Sequence, residues 1–323
     1  MPTILSGRVA RDELKKPLAA KIKSLQEKLG AALTLAIIQV GDRADSTAYI
    51  NAKKKFAAEI GVSVKLVHLA ESVRQEKITA EIKKLNQDKE ITGIIVQLPL
   101  PKSLDEGIIL DIIDPAKDAD AITSTNVKKW SVQGLPLYQP PTSTRTTLVP
   151  TTDQYKDYPC TNRSDQGLTL YPATARGVDE LLEFYKIFLK GKSVCVIGRS
   201  KFVGTPIACL CRNKGAIVSV CHSKTENLVK ETLAADVIIS VVGKAGLITA
   251  EHVKKGQIII DVGLSRVSVG TKTKLAGDVD FEQVSLVLGG SSSSLGAITP
   301  VPGGVGPMTV IALFENLTDC AIL

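Results

Sequence analysis

The stretch Val194-Cys195-Val196-Ile197-Gly198-Arg199-Ser200-Lys201-Phe202-Val203-Gly204-Thr205-Pro206 decides the fold. A short apolar run ends in a glycine, and a second glycine and a proline follow at a spacing that suits the opening of a helix. Gly198 can turn tightly, Gly204 lets the helix pack close to the strand, and the free amides at the helix N-terminus face a pyrophosphate. The spacing is Gly-x5-Gly rather than GxGxxG, so a plain structural turn is the alternative to a dinucleotide site. Its position, directly between strand and helix, favours the site.

Working outward, Gly177 to Leu189 reads as a helix and Ser193 to Ile197 as a strand. Ile217 to Cys221, Val237 to Val242 and Gln257 to Val262 are further short apolar runs, which together make a doubly wound parallel sheet. At the tip of the second strand, NAD enzymes place a carboxylate for the ribose hydroxyl. Here Cys221-His222-Ser223-Lys224-Thr225 offers none. Arg199 and Lys201 in the turn, with Ser223 and Lys224 at the tip, suit a 2′-phosphate, so NADP is expected over NAD. Solvated surface cations are the alternative.

Upstream, an amphipathic helix from Arg8 to Leu29 is closed by Gly30, and Pro17 is expected to break or bend it early. A buried strand from Leu33 to Val40, a helix from Ser46 to Ile60 and a strand from Val62 to Leu69 follow. A helix from Glu76 to Asn86 and a buried strand from Gly93 to Leu98 complete a β, α, β, α, β order, which implies a parallel sheet with helical crossovers. From Gly134 to Gly167 periodicity gives way to scattered proline, threonine and serine, which reads as an inserted loop or a partner-binding element.

A chain of 323 residues exceeds what one hydrophobic core supports, so two domains are expected. With 44% hydrophobic and 23% charged residues the composition excludes a disordered chain. The net charge of +7 is spread, with no basic run interleaved with aromatics, which favours a small anionic ligand over nucleic acid. No apolar run reaches the roughly 20 residues of a membrane span. Six cysteines without a CxxC pair, and no secretory apolar region after Met1, point to buried thiols and a cytoplasmic location. Cys209 and Cys211 do not share a helix face, and His68, His222 and His252 form no ligand cluster, so no metal is expected.

In Asp45-Ser46-Thr47-Ala48-Tyr49-Ile50-Asn51-Ala52-Lys53, Tyr49 and Lys53 are four apart on a helix and share a face. A phenol that packs against a ring beside an amine that moves a proton is a catalytic combination, although such a pair also arises by chance on surfaces. Short-chain dehydrogenases carry a similar pair after the cofactor loop; here it precedes that loop. Val96-Gln97-Leu98-Pro99-Leu100-Pro101 puts an amide at the carboxyl edge of a buried strand, where ligands collect. Lys117-Asp118-Ala119-Asp120 offers carboxylates, and Ile298-Thr299-Pro300-Val301-Pro302-Gly303-Gly304-Val305-Gly306-Pro307-Met308-Thr309 is a rigid, side-chain-poor loop.

Together and in this order these segments resemble the methylenetetrahydrofolate dehydrogenase/methenyltetrahydrofolate cyclohydrolase family, over nearly the whole chain except about 134–167. The resemblance implies a two-domain α/β protein. Residues 1–172 would form a folate-binding catalytic domain, to which a helix in 300–323 returns, and 173–299 an NADP-binding Rossmann domain. It implies oxidation of 5,10-methylenetetrahydrofolate with NADP, then hydrolysis to 10-formyltetrahydrofolate, in a homodimer formed through the cofactor domains.

By matching positions, Tyr49 is similar to the family's pterin-stacking tyrosine, Lys53 to its catalytic lysine, and Gln97 to the amide that tunes that lysine. Asp120 matches the carboxylate that grips the pterin's amino edge. Val96 and Leu98 flank Gln97 on the substrate side, with Pro302 and Gly303 in the substrate-side loop. Thr174, Gly198, Arg199, Ser200, Ser223, Gly243, Leu264 and Thr299 fall where the family holds NADP. Two departures stand out. Ala121 replaces the glycine of KDVDG, which could shift the loop bearing Asp120, and Pro172-Ala173-Thr174-Ala175 replaces PCTP. A dehydrogenase-only member is the alternative, and Tyr49, Lys53 and Gln97 together argue against it. A cofactor-binding regulator without catalysis and a nucleic-acid binder are the readings from other classes.

Overall fold

The computed structural model describes residues 1–129, 170–269, 272–289 and 296–323; the expected inserted loop at 134–167 lies outside them. In chain order the elements begin with β1 (Thr3–Ile4), α1 (Gly7–Leu29), β2 (Thr34–Val40), α2 (Ala44–Glu59), β3 (Ser63–Leu69), α3 (Gln75–Gln87) and β4 (Gly93–Val96). Two short helices, α4 (Glu106–Leu110) and α5 (Ser124–Lys128), follow. Beyond the undescribed stretch come α6 (Ala173–Phe184), β5 (Ser193–Ile197), α7 (Gly204–Asn213), β6 (Ile217–Cys221), α8 (Leu228–Ala234), β7 (Val237–Ser240) and β8 (Ile258–Asp261). The chain closes with β9 (Ser265–Val269), β10 (Lys272–Ala276), α9 (Phe281–Leu288), β11 (Ala297–Ile298) and α10 (Val305–Cys320).

Two compact units divide the chain. One holds Val9–Lys128, the described residues from 170 to 177, and Pro307–Leu323; the other holds Met1–Arg8 and Val178–Gly306. The first unit is built on a parallel sheet in the order β3-β2-β4. Central β2 is buried almost throughout, as a continuous apolar run requires when both faces are covered. Its alternation sends Leu35 and Ile37 into a core shared with Phe56 of α2 and with Ile311, Phe314 and Leu317 of α10. Phe56 and Phe314 meet with ring centroids 5.6 Å apart. Truncating a side chain such as Ile37 to alanine costs about 2–5 kcal/mol. β3 is the half-exposed edge, and it carries Lys65, paired with Asp88.

The second unit is a six-stranded parallel sheet in the order β1-β11-β8-β7-β5-β6. The order reverses around β5, the arrangement that opens a crevice at the strands' carboxyl ends. An antiparallel hairpin, β9 with β10, projects from it in sequence after β8.

Three local readings change. α1 runs unbroken through Pro17, which is exposed, so the carbonyl that loses its donor lies on the solvent side while Leu18 and Ile22 stay in the core. α6 starts at Ala173, with Arg176 N donating to Pro172 O, so Gly177 lies inside the helix, and the chain leaves it at Lys186, φ 55°. Residues 1–8 group with the larger sheet because Thr3 and Ile4 pair in parallel with Ala297 and Ile298.

Candidate functional site

α2 opens with Asp45 in its first turn, where a carboxylate suits the helix dipole, and Arg43 holds that carboxylate at 2.9 Å. Ser46, Ile50, Phe56 and Ala57 face inward. Tyr49 and Lys53 occupy the adjoining face; Tyr49 is 46% exposed, whereas Lys53 is half-buried. Gln97 follows the last residue of β4, and its backbone N–H continues the ladder to Ile38 O at 2.9 Å. Its side chain is held at both ends. Nε2 donates to Leu98 O at 2.9 Å, which turns Oε1 toward Lys53, and Lys53 Nζ donates to it at 3.1 Å.

Asp120 lies on the segment that runs beside β4 through the parallel bridge Ile94↔Asp118. The three residues before Asp120 are each held in place. Lys117 Nζ donates to the carbonyls of Leu85, Asn86 and Asp88 at the end of α3. Asp118, fully buried, accepts from Thr123 N at 2.8 Å and Asn126 Nδ2 at 3.0 Å. Asn316 of α10, also fully buried, donates to Ala119 O at 2.8 Å and Tyr171 O at 2.7 Å, while its own oxygen accepts from Arg176 at 2.8 Å. Ala121 adopts φ 54°, so the backbone keeps a left-handed turn without glycine. That conformation costs about 1–2 kcal/mol. Complete burial of the methyl group in the core offsets part of it.

Burial lowers the Lys53 pKa, against the pull of Asp120, and raises that of Asp120, against the pull of Lys53 and with the push of Asp118. Desolvation outweighs mutual attraction on both sides. Both shifts favour the neutral forms, a less basic amine beside a less acidic carboxyl, the direction expected of a proton-transfer pair.

In the other unit, Gly198, Arg199, Ser200, Ser223, Gly243, Leu264 and Thr299 follow the carboxyl ends of β5, β6, β7, β8 and β11. Gly198 (φ 114°) ends β5, and a Cβ there would stand 2.7 Å from Val241 Cγ2; a Cβ on Gly204 would overlap Gly198 O. The Ser200 hydroxyl accepts from Gly204 N at 3.1 Å and opens α7. Arg199, Ser200 and Ser223 are exposed. Burial and the charges of Arg199 and Lys224 hold the His222 pKa down, a mark of a positive edge around the β6 tip. Gly243 follows β7, its carbonyl accepting from Ser265 Oγ at 2.7 Å, and Leu264 beside it is 45% exposed. Thr299 is buried, its hydroxyl taken by Asp261 N at 2.7 Å, so its side chain ties β11 to β8.

The structure thus brings Lys53, Gln97 and Asp120 together, with Val96 and Leu98 alongside Gln97 and Tyr49 one turn before Lys53. Thr174 sits in the first turn of α6, in this same unit. Pro302 and Gly303 (φ 115°) lie in the unit of the larger sheet, where Gly303 O accepts from Arg8 N at 3.2 Å. Asn316 and Arg176 escape the sequence reading; a lone amide on the apolar face of the last helix was the one signal. Among the described residues no group of three His, Cys, Asp or Glu could hold a metal ion, and no helix is long and apolar enough to cross a membrane. The five described cysteines are buried thiols, none of them in a disulfide.

Comparison with known proteins matches both halves. Residues 5–120 fit the model of the tetrahydrofolate dehydrogenase/cyclohydrolase catalytic domain, and 172–322 that of the same family's NAD(P)-binding domain. The chain is 37% identical over 316 residues to the bifunctional protein FolD of Lactobacillus acidophilus, covering 98% of this chain and 95% of that one. The crystal structure of the bifunctional FolD enzyme from Campylobacter jejuni superposes with a TM-score of 0.80 at 36% identity, over 99% of this chain and 98% of that one. The Trypanosoma brucei N5,N10-methylenetetrahydrofolate dehydrogenase-cyclohydrolase, complexed with NADP cofactor and inhibitor, gives 0.82 at 31% identity, over 100% of this chain and 98% of that one. With a parallel sheet behind each match and the Lys53–Gln97 pair at the edge of one of them, the chain belongs to the tetrahydrofolate dehydrogenase/cyclohydrolase family.

Proposed function

We infer that this chain oxidises 5,10-methylenetetrahydrofolate to 5,10-methenyltetrahydrofolate with NADP, and hydrolyses the methenyl product to 10-formyltetrahydrofolate. Both family domains are present, and solved structures described as methylenetetrahydrofolate dehydrogenase/cyclohydrolases match nearly end to end. The observation that carries the reading is the half-buried Lys53, its pKa lowered by burial, held by Gln97 in the electrostatic reach of Asp120.

Tyr49 offers its ring face to the pterin and Asp120 binds the pterin's amino edge, with Val96, Leu98, Pro302 and Gly303 contributing further substrate contacts. NADP, when bound, supplies the hydride acceptor. The residues fit it: Gly198, at φ 114°, turns the chain after β5 toward the opening of α7, whose first backbone amides suit a pyrophosphate, and the cations around the β6 tip suit a 2′-phosphate. Arg199, Ser200 and Ser223 would hold that phosphate, with Thr174, Gly243, Leu264 and Thr299 lining the rest. The hydride step leaves a methenyl cation, next to which a charged ammonium is disfavoured. A neutral Lys53 avoids that repulsion and takes one proton of the water as its oxygen adds to the methenyl carbon; the resulting carbinolamine then loses its O–H proton to form the formyl C=O as the ring C–N bond breaks and the ring nitrogen takes a proton, so that one proton is released to solvent overall. In this reading the unit of the larger sheet, Met1–Arg8 with Val178–Gly306, is the cofactor domain, and Val9–Lys128 with the described residues from 170 to 177 and Pro307–Leu323 is the folate domain.

A coupled assay tests it. Methylenetetrahydrofolate with NADP should yield NADPH and then 10-formyltetrahydrofolate, with NAD a poorer acceptor; accumulation of the methenyl compound would leave only the dehydrogenase. We also assign the chain a cytoplasmic location and a homodimer formed through the cofactor domains. Cell fractionation and light scattering check these, and a monomeric mass would remove the dimer.

A further inference from the structure

Between β7, β8 and the turn after β10, the larger sheet holds two carboxylates that the proposed mechanism does not use. Asp278 is fully buried and Asp261 is 3% exposed. Asp278 Oδ2 accepts from Ser240 Oγ and Val242 N, and Oδ1 from Lys244 N, all at 2.7 Å. Those two amides bracket Gly243. Asp261 in turn fixes Asp278: Oδ1 accepts from Asp278 N and Gly263 N, and Oδ2 from Val279 N, each at 3.0 Å.

The fit is reciprocal. A Cβ on Gly263 would overlap the Asp278 carboxylate, and one on Gly277 would overlap that of Asp261, so each acid fills the space left by a glycine on the opposite loop. The chain of bonds then runs on in both directions. Asp261 N donates to Thr299 Oγ1, Ser265 Oγ to Gly243 O, and Val241 N to Ile197 O at the end of β5. The backbones before Gly198, at Gly243, at Leu264 and at Thr299 are therefore tied together through two buried acids, the Ser265–Gly243 bond closing the network at the surface. A carboxylate given three donors in a dry site is rigid, since releasing any one leaves a buried polar group unpaired.

We propose that Asp278, locked by Asp261, is a positioning residue for NADP: its carboxylate sets the turn that presents Gly243 to the cofactor. This rests on the NADP reading above, and it adds residues that touch no ligand. Asparagine keeps the shape but has one acceptor oxygen, so Asp278→Asn releases the amide of either Val242 or Lys244.

The test uses the full chain. NADP affinity is measured by calorimetry, dehydrogenase KM values for NADP and for the folate are measured separately, and cyclohydrolase turnover is measured on methenyltetrahydrofolate supplied directly. Asp278→Asn should raise both the NADP Kd and its KM about tenfold, the equivalent of one hydrogen bond to a charged group. The folate KM and cyclohydrolase turnover should stay within about twofold of the original. Unchanged NADP affinity overturns the proposal, and so does a parallel loss of both activities, which marks general destabilisation. Should Asp278→Asn not fold, Ser240→Ala decides: it removes one donor and adds no volume, and should raise the NADP KM about threefold, no rise overturning the idea. An unaltered chain that fails to bind NADP overturns the parent reading and this proposal together, a result distinct from failure of the variant alone.

Discussion

Replacing Gln97 by glutamate puts a negative charge where the structure has a neutral amide oxygen, 3.1 Å from Lys53 Nζ. At an effective dielectric of about 20, two unit charges at that distance attract by about 5 kcal/mol. At 1.36 kcal/mol per unit this would raise the lysine pKa by up to about four units. Two features of the site reduce it. Lys53 is only half-buried, so water screens the pair, and the second carboxylate oxygen would face Leu98 O, which now accepts from Gln97 Nε2 at 2.9 Å. A shift of at least about one unit should remain. If hydrolysis needs the neutral amine, its rate rises as pH passes the Lys53 pKa, and a raised pKa moves that rise to higher pH. The assay is the pH profile of methenyltetrahydrofolate hydrolysis for the original chain, Gln97→Glu, and Gln97→Met as an uncharged control. Gln97→Glu should lose about tenfold or more at neutral pH and recover in alkali, while NADPH formation, which requires no proton from Lys53, changes little. The methionine variant should not shift alkaline. A glutamate profile superimposed on that of the original chain would refute the assignment of Lys53 as the titrating base.

Lys53→Met should abolish cyclohydrolase turnover and leave NADP binding intact by calorimetry; retained hydrolysis would take Lys53 out of the mechanism. Asp120→Asn should chiefly raise the KM for the folate, and an unchanged KM would count against its grip on the pterin. Arg199→Ala should erase most of the preference for NADP over NAD, about tenfold for one charge-assisted contact, read as the ratio of kcat/KM values; an intact ratio would make Arg199 a solvated surface cation. Burial, with Asp278 adding repulsion, pushes the Asp261 carboxyl up to about 7. The folded chain therefore holds a proton that the unfolded chain has released between about pH 4 and 7, so stability falls as pH rises across that window, by up to about 4 kcal/mol. Urea unfolding at several pH values should show this slope flattened in Asp261→Asn, and equal slopes in the two chains would be incompatible with a titrating Asp261.

Much of the fold is legible because a strand buried on both faces has few ways to be written. Ser193–Ile197 and Ile217–Cys221 are read with the same bounds that the structure gives, and Leu33–Val40 differs by one residue. What escapes is either too short or too exposed to carry a period. β1 has two residues, and it is a strand only because β11 offers an edge; β9 and β10 form a hairpin with polar and apolar positions that no core dictates. Pro17 fails as a helix breaker for a related reason. The rule concerns the lost bond, and the outcome depends on which face meets water, which is a property of the folded chain.

The site divides along the same line. Residues proposed to act on a ligand are legible as residue types at a spacing: Tyr49 and Lys53 one helical turn apart, Gln97 just past a strand, Gly198 at a turn. The residues that hold them are not, because their partners are remote in sequence. Asn316 and Ala119 are 197 positions apart, and Asp278 reaches Ser240 across 38. An isolated asparagine in a helix or an aspartate after a glycine has many commoner uses, so nothing local singles either out. Ala121 makes the point from the other side. Its loss of glycine reads locally as a threat to the Asp120 loop, yet Asn126, Thr123 and Asn316 fix that loop from outside and hold a left-handed alanine in place. The strain of one residue is small against several buried hydrogen bonds, so the geometry of the acid is set by its supports rather than by the residue that follows it.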